Sequence, residues 1–272
     1  MSASTDRVTW PEGKRAAVAV TFDLDAESVM LAAGLDLDAR PSLATHQRYG
    51  PLTGVPRLLR ILGERGVRAT FFVPGHSADR FPEAVQAVLA AGHEVAHHGY
   101  LHRNLVGSTE AEEREELERG LEALARHGVT PTGYRAPWWE TTDRTLGLLA
   151  EYGLAYDSSL FDRDVPYVVE TPRGPVAEVP VSWALDDWER YAYWPDVTGS
   201  GTIMRPSEVV AAWWEEVEAS EAEGGVAVLV MHPFISGRPA RARALGDLLD
   251  RIAGRPGIWM ATAGEIAAVA GN

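Results

Sequence analysis

Cysteine is absent from the 272-residue chain. That excludes disulfides and thiolate metal sites and leaves nitrogen and oxygen as the donors for any bound ion. No apolar run approaches the roughly 20 residues that cross a bilayer. The opening "MSASTDRVTWPEGKR" lacks the basic-then-apolar pattern of a secretory leader, so a cytoplasmic protein without a membrane partner is expected. Basic side chains are also in short supply. The 25 Lys and Arg against 39 Asp and Glu leave a net charge of −14, which argues against nucleic acid, since its phosphates are bound by Lys and Arg. Histidine is scarce as well, with eight in the chain, yet His97, His98 and His102 all fall within "EVAHHGYLHRN".

What is present is a regular alternation of short apolar runs and amphipathic stretches. "RAAVAVTFDLD" (15–25) is rich in β-branched and apolar residues and ends in acids, which predicts a buried parallel strand. The stretch 26–54 has no sustained period and is expected to be a long, functional loop. "GVPRLLRILGERG" predicts an amphipathic helix closing on Gly66, and "VRATFFVPG" the next strand. "HEVAHHG" is expected to be a strand running into the histidines, followed by a charged helix with a capping box at Thr109 and Glu112. A less regular middle, 161–203, precedes a final helix–strand–helix–strand–helix series. About seven strand–helix repeats without an evident linker predict a single α/β domain over 1–272 with a mostly parallel sheet. Asp23, Asp25, the histidines, Arg135 and His232 all end predicted strands, and in a parallel barrel that end carries the active site.

His98 and His102 stand four apart, so a helical turn starting at Gly99 would put both imidazoles on one face within reach of one ion. His97 alternates to the other side of the strand and is left out. Asp23 and Asp25 point the same way by period-two alternation, and two carboxylates sharing a site need a cation or a proton between them. One then holds a metal and the other is free to act as a base. Arg135 is placed to hold Asp23 ionised, and Trp138 and Trp139 form an aromatic wall. His232, stopped by Pro233, is a candidate acid. "LDDWERYAYW" brings Asp186, Asp187, Trp188, Tyr191, Tyr193 and Trp194 together as a lid or a subunit contact.

Taken together, "TFDLD", "HHGYLH", "YRAPWW", "LDDW" and "VLVMHP" resemble, in that order, the five motif regions of the polysaccharide deacetylase family, also called the NodB-homology or carbohydrate esterase 4 group. The similarity runs from Val18 to about Ala268. It implies an α/β fold, a distorted (β/α) barrel of about seven parallel strands. It also implies one divalent metal, usually zinc, with Co2+, Ni2+ or Mn2+ as alternatives. Carried over by position, the metal ligands are Asp25, His98 and His102, Asp23 is the base oriented by Arg135, and His232 is the acid tuned by Asp187. The Trp138 N–H helps hold the oxyanion, and Trp139, Tyr49 and Trp188 are further substrate contacts.

The first motif departs from the common T-F-D-D-G-P, because Leu24 separates the acids and Ala26-Glu27 replaces Gly-Pro, so which Asp binds metal stays open. The D-x-D-A-E form, the "RYG" ending at Gly50 and "MHPFISGRPARARAL" resemble a sub-branch. It contains cytoplasmic peptidoglycan-deacetylase-like, allantoinase-like and cyclic imide hydrolase proteins, often homotetramers, so a homo-oligomer is expected. The expected reaction is hydrolysis of a non-peptide amide C–N bond in a small N-acyl compound or a cyclic imide or ureide. The alternatives are an N-acetylglucosamine polymer as substrate, a metal-independent ring-opening hydrolase, and a non-catalytic ligand-binding protein on the same barrel.

Overall fold

The structure, a computed structural model, describes residues 8–193 and 202–271. Its strands are β1 (Ala16–Asp23), β2 (Thr70–Val73), β3 (Glu94–His97), β4 (Gly133–Tyr134), β5 (Tyr156–Asp157), β6 (Tyr167–Thr171), β7 (Gly174–Glu178), β8 (Val226–Met231) and β9 (Ile258–Ala261). The helices ahead of β4 are α1 (Ser28–Ala32), α2 (Pro41–Tyr49), α3 (Val55–Arg65), α4 (Gly75–Arg80), α5 (Pro82–Ala90) and α6 (Glu110–Ala125). Those after it are α7 (Thr145–Glu151), α8 (Trp188–Tyr191), α9 (Pro206–Glu223), α10 (Pro233–Ser236), α11 (Pro239–Ala253) and α12 (Ala263–Ala267).

Seven parallel strands run β7-β5-β4-β3-β2-β1-β8, with β9 beside the first half of β1 and β6 antiparallel on the β7 edge. A bridge from Asp186 to Val230 continues the sheet past β8. This is the distorted (β/α) barrel that the motif order implies.

β1 explains how the barrel positions its polar groups. Val18, Val20, Phe22 and Leu24 pack outward into the large core with Leu58, Leu62, Trp213 and Leu249, whereas Ala17 and Ala19 face a second core inside the barrel. Each such side chain fully buried is worth roughly 1.5–3 kcal/mol, which fixes the register of the strand. Thr21, Asp23 and Asp25 share the parity of Ala17 and Ala19, and all three are buried. The α6 capping box at Thr109 and Glu112 is present, and α3 closes on Gly66 in the left-handed conformation.

Two sequence expectations fail. The stretch 26–54 holds α1, α2 and a π-helical turn at Gly50–Gly54 that runs straight into α3. On α2 only Ala44 and Gln47 are buried, so the helix leaves little apolar period to read. Residues 161–203 contain the β6–β7 hairpin, whose Val168 and Glu170 alternate outward at a sheet edge. The π-helical turn has a structural reason. A Cβ on Gly54 would strike the Pro233 carbonyl and one on Gly50 the Phe234 backbone, so this segment lies backbone-to-backbone against the loop that follows His232.

Candidate metal centre and active site

Asp25 sits at the middle of the site, 1% exposed, and neither of its side-chain oxygens has a hydrogen-bond partner. Its Oδ1 is 3.5 Å from His98 Nε2 and its Oδ2 3.6 Å from His102 Nε2. Donors at about 2.0–2.1 Å around a tetrahedral zinc would stand about 3.4 Å apart, so the spacing fits one small cation. Burial raises the Asp25 carboxyl above its ordinary value against the opposing pull of His232 and His98. Two orphaned buried oxygens beside two imidazoles are what a metal centre requires of a protein.

The histidines are held in the form that binds metal. Burial lowers His98 to about 4 and His102 to about 3, so both are neutral at physiological pH. His98 Nδ1 lies 2.7 Å from the Arg135 carbonyl, which fixes the N–H on that side and turns the Nε2 lone pair toward Asp25. The helical turn expected from Gly99 is not there. Gly99 and His102 both take left-handed conformations, at φ 68° and 60°, within a loop. Glu116, buried on α6, accepts the N–H groups of Tyr100 and Leu101 at 3.1 and 2.5 Å and shapes that loop. His97 points away, with Nε2 3.0 Å from the Leu117 carbonyl and its ring against Tyr134.

Asp23 is differently placed. Its Oδ1 accepts from Arg135 Nη1 at 2.7 Å, and its Oδ2 lies 3.8 Å from His98 Nε2. Burial alone would raise its carboxyl, but Arg135 and then His98 and His232 outweigh that and hold it below the ordinary value. Arg135 is fully buried, stacked 4.0 Å over Phe72, and also donates to Thr21 Oγ1, Ser158 Oγ and the Ser158 carbonyl. Its planar fork is thus fixed before any ligand arrives.

His232 approaches from the far side, with Nε2 3.6 Å from Asp25 Oδ2. Its Nδ1 lies 2.7 Å from Asp187 Oδ1, while Asp187 Oδ2 accepts the His232 backbone N–H and the Ser236 hydroxyl. Burial would lower this imidazole, but Asp187, Asp186 and Asp25 push it up to about 10. Asp186, Asp187 and His232 also lie close enough to form a second candidate metal group. Asp187 already has three donors, which accounts for that cluster without an ion.

The space between these groups is about 50 Å3, walled by Val29, Ala136, Trp138, Trp139, Trp183 and Trp188. Trp138 stands edge-on to His102 and Trp188, while Trp139 packs on Trp183 and Phe161. Tyr49 is not part of this wall. Its hydroxyl meets Arg57 and the Gly237 carbonyl, and Arg238 covers its ring. Trp194 lies outside the described residues. Thr21, Glu116, Ser158 and Ser236 escaped the sequence reading. Thr21 alone had a visible signal, as the next residue of the Asp23–Asp25 alternation.

Residues 45–156 match the family model described as polysaccharide deacetylase. A peptidoglycan deacetylase of Helicobacter pylori is 30% identical, the match covering 89% of this chain and 96% of that protein. A crystal structure from Mycobacterium smegmatis, provisionally described as a polysaccharide deacetylase, superposes with a TM-score of 0.95 at 49% identity, covering 96% of this chain and 92% of that one. Puue allantoinase, at 22% identity and a TM-score of 0.82 over 96% of this chain and 91% of that one, shares the fold. A chain related over nearly its whole length to such proteins, and built on the same barrel, belongs to the polysaccharide deacetylase family, hydrolases of carbon–nitrogen bonds other than peptide bonds.

Proposed function

We propose that the protein hydrolyses the amide bond of a small N-acyl compound or a cyclic imide or ureide, using one divalent metal held by Asp25, His98 and His102. The observation that carries this reading is the pair of unpartnered Asp25 oxygens facing two neutral imidazoles at 3.5 and 3.6 Å. Deacetylases of this family are metal-dependent, and a nitrogen–oxygen donor set at this spacing favours zinc. When bound, the cation supplies Lewis acidity toward a carbonyl oxygen and toward water.

The chain's own residues supply the rest. Asp23, kept ionised by Arg135, takes the proton of the attacking water. The Trp138 N–H faces the carbonyl oxygen as negative charge develops there, a kind of contact worth roughly 2.7–4 kcal/mol per donor. His232 gives its Nε2 proton to the departing nitrogen, with Asp187 and Ser236 fixing the Nδ1 side of the ring. The water oxygen adds to the acyl carbon as its proton passes to Asp23, the C–N bond then breaks as the nitrogen takes the His232 proton, and solvent takes the proton from Asp23 and returns one to His232.

A space of about 50 Å3 has room for on the order of four water-sized bodies. That suits a metal, a water and a small acyl head, with the rest of the substrate outside this space. The peptidoglycan deacetylase relative favours an acetylated amino sugar instead. Metal analysis of the purified protein, paired with turnover assays on acetylated amino sugars, N-acetyl amines, hydantoins, succinimide and allantoin, separates the two. Full activity in a metal-free His102→Ala preparation would sink the proposal.

A further inference from the structure

Asp186 is a buried carboxyl of the reaction space that the proposed chemistry leaves unused. It is 4% exposed and lines the space of about 50 Å3 beside Trp183, Trp188 and His232. Its bridge to Val230, past the end of the sheet, fixes its backbone there. Its Oδ1 accepts the Trp188 N–H at 2.7 Å and lies 3.9 Å from His232 Nδ1. Among the described residues no donor reaches its Oδ2. Burial raises this carboxyl to about 7 against the pull of His232, in keeping with an oxygen short of donors. Asp23 adds to the rise, so the group lies within the field of both the base and the acid.

Asp186 is also the side-chain acceptor left over once the other walls are assigned. Asp25, His98 and His102 go to the metal. Asp23 holds Arg135 with one oxygen and takes the proton of water, and His232 donates from Nε2. The remaining walls are Val29, Ala136 and four tryptophans, whose side chains accept no hydrogen bond. An amide brings two polar groups into such a space. Its carbonyl oxygen meets the metal and the Trp138 N–H. Its N–H then needs an acceptor, because a buried donor left unpaired costs affinity. The nitrogen lies toward His232, which protonates it, and Asp186 stands beside His232.

We infer that Asp186 Oδ2 accepts the N–H of the scissile amide, so that the site selects secondary amides, imides and ureides over esters and tertiary amides. The inference rests on the amide-hydrolase reading for the position of that bond. A site built to hydrogen-bond a substrate N–H rejects the analogue that lacks it, because its own buried acceptor is then left unpaired. For a charged acceptor the difference in affinity is about tenfold or more.

The test uses zinc-loaded protein with para-nitroacetanilide and para-nitrophenyl acetate, which differ at the scissile position in N–H against O. The KM of the ester and the Ki of the anilide against ester turnover are measured for the parent, D186N and D186S. In D186N the Asn oxygen keeps the Trp188 N–H, and its NH2 stands where Oδ2 stood, a donor facing a donor. The Ki of the anilide rises about tenfold or more while the KM of the ester holds or falls. D186S keeps an oxygen for the Trp188 N–H but none toward the substrate, and shows the same selective rise. Constants for anilide and ester that move together, or stay put, in both variants overturn the inference and leave the amide-hydrolase reading standing. A fall in kcat without a rise in Ki also overturns it, since that effect would act through His232. So does a second zinc per chain, found by elemental analysis, that D186N removes. An anilide-selective rise in the calorimetric Kd, in protein that turns over neither compound, keeps the acceptor and removes the hydrolase reading.

Discussion

Replacing Asp25 by Asn tests the metal centre without any substrate. In the metal-free protein both Asp25 oxygens are buried acceptors without donors, and an unsatisfied buried polar group costs about 1–3 kcal/mol. An Asn side chain of the same shape turns one oxygen into an NH2, which donates to His98 Nε2 or His102 Nε2 where 3.5–3.6 Å now separates the groups. The metal-free variant should therefore be more stable than the metal-free parent by about 1–3 kcal/mol. Zinc at about 100 times its Kd adds about 2.7 kcal/mol to the parent, a rise of about 5–10 °C in Tm at about 2–4 °C per kcal/mol for a chain of this size. The variant should gain almost nothing. Calorimetric melts of both proteins, with chelator and with zinc, give all four numbers. A metal-free variant that melts below the parent, or one that gains the same rise from zinc, would refute a cation site built on Asp25.

Asp23→Asn should retain the metal and lose about 10²–10⁴ of kcat; metal loss instead, read by elemental analysis, would exchange the roles of Asp23 and Asp25. Glu116→Ala removes the acceptor for the Tyr100 and Leu101 N–H groups and should weaken zinc binding by about 10–100-fold, measured by competition with a chromogenic chelator. Burial raises Asp157 from 3.8 to about 6 despite its bonds to Glu178 and Ser159. Glu178, its buried partner, is raised as well, so the folded state holds protons that the unfolded chain has lost and stability falls as pH rises from about 4 through about 6. Asp157→Asn should make that slope shallower in urea titrations run across the window, and an unchanged slope would assign it elsewhere.

The barrel and its polar rim were legible because they follow from strand chemistry. β1 reads as a strand from its β-branched run, and its period of two already places Thr21, Asp23 and Asp25 on one side. His232 is announced by an apolar run stopped by Pro233. The loops were not legible in the same way. The helical reading of Gly99–His102 used a spacing that fits a helix, but the segment is a loop shaped by Glu116, sixteen residues past Tyr100. α2 escaped because it buries a Gln and an Ala instead of an apolar stripe. Tyr49 stands apart from the aromatic wall because its neighbours, Arg57, Gly237 and Arg238, are distant in sequence.

What distinguishes the site from the rest of the barrel is where the backbone is strained. Among the described residues the non-glycines at positive φ are Ala26, His102, Trp138 and Trp139. One follows Asp25, one is a metal-ligand candidate, and two form the aromatic wall. Each costs about 1–2 kcal/mol relative to a right-handed conformation, a sum that the surrounding contacts must exceed. The offsets are visible at all four: Glu116 on the His102 loop, the Ser159 hydroxyl accepting the Ala136 N–H ahead of the two tryptophans, and the Ser28 and Ser77 hydroxyls both donating to the Asp25 carbonyl beside Ala26. Ser159 is in turn fixed by Asp157 and Glu178, a buried acid pair that would be costly as mere scaffold. Burying so many polar groups to hold four residues in strained conformations is a poor way to stabilise a barrel and a good way to aim an aspartate, an imidazole and an indole at one point.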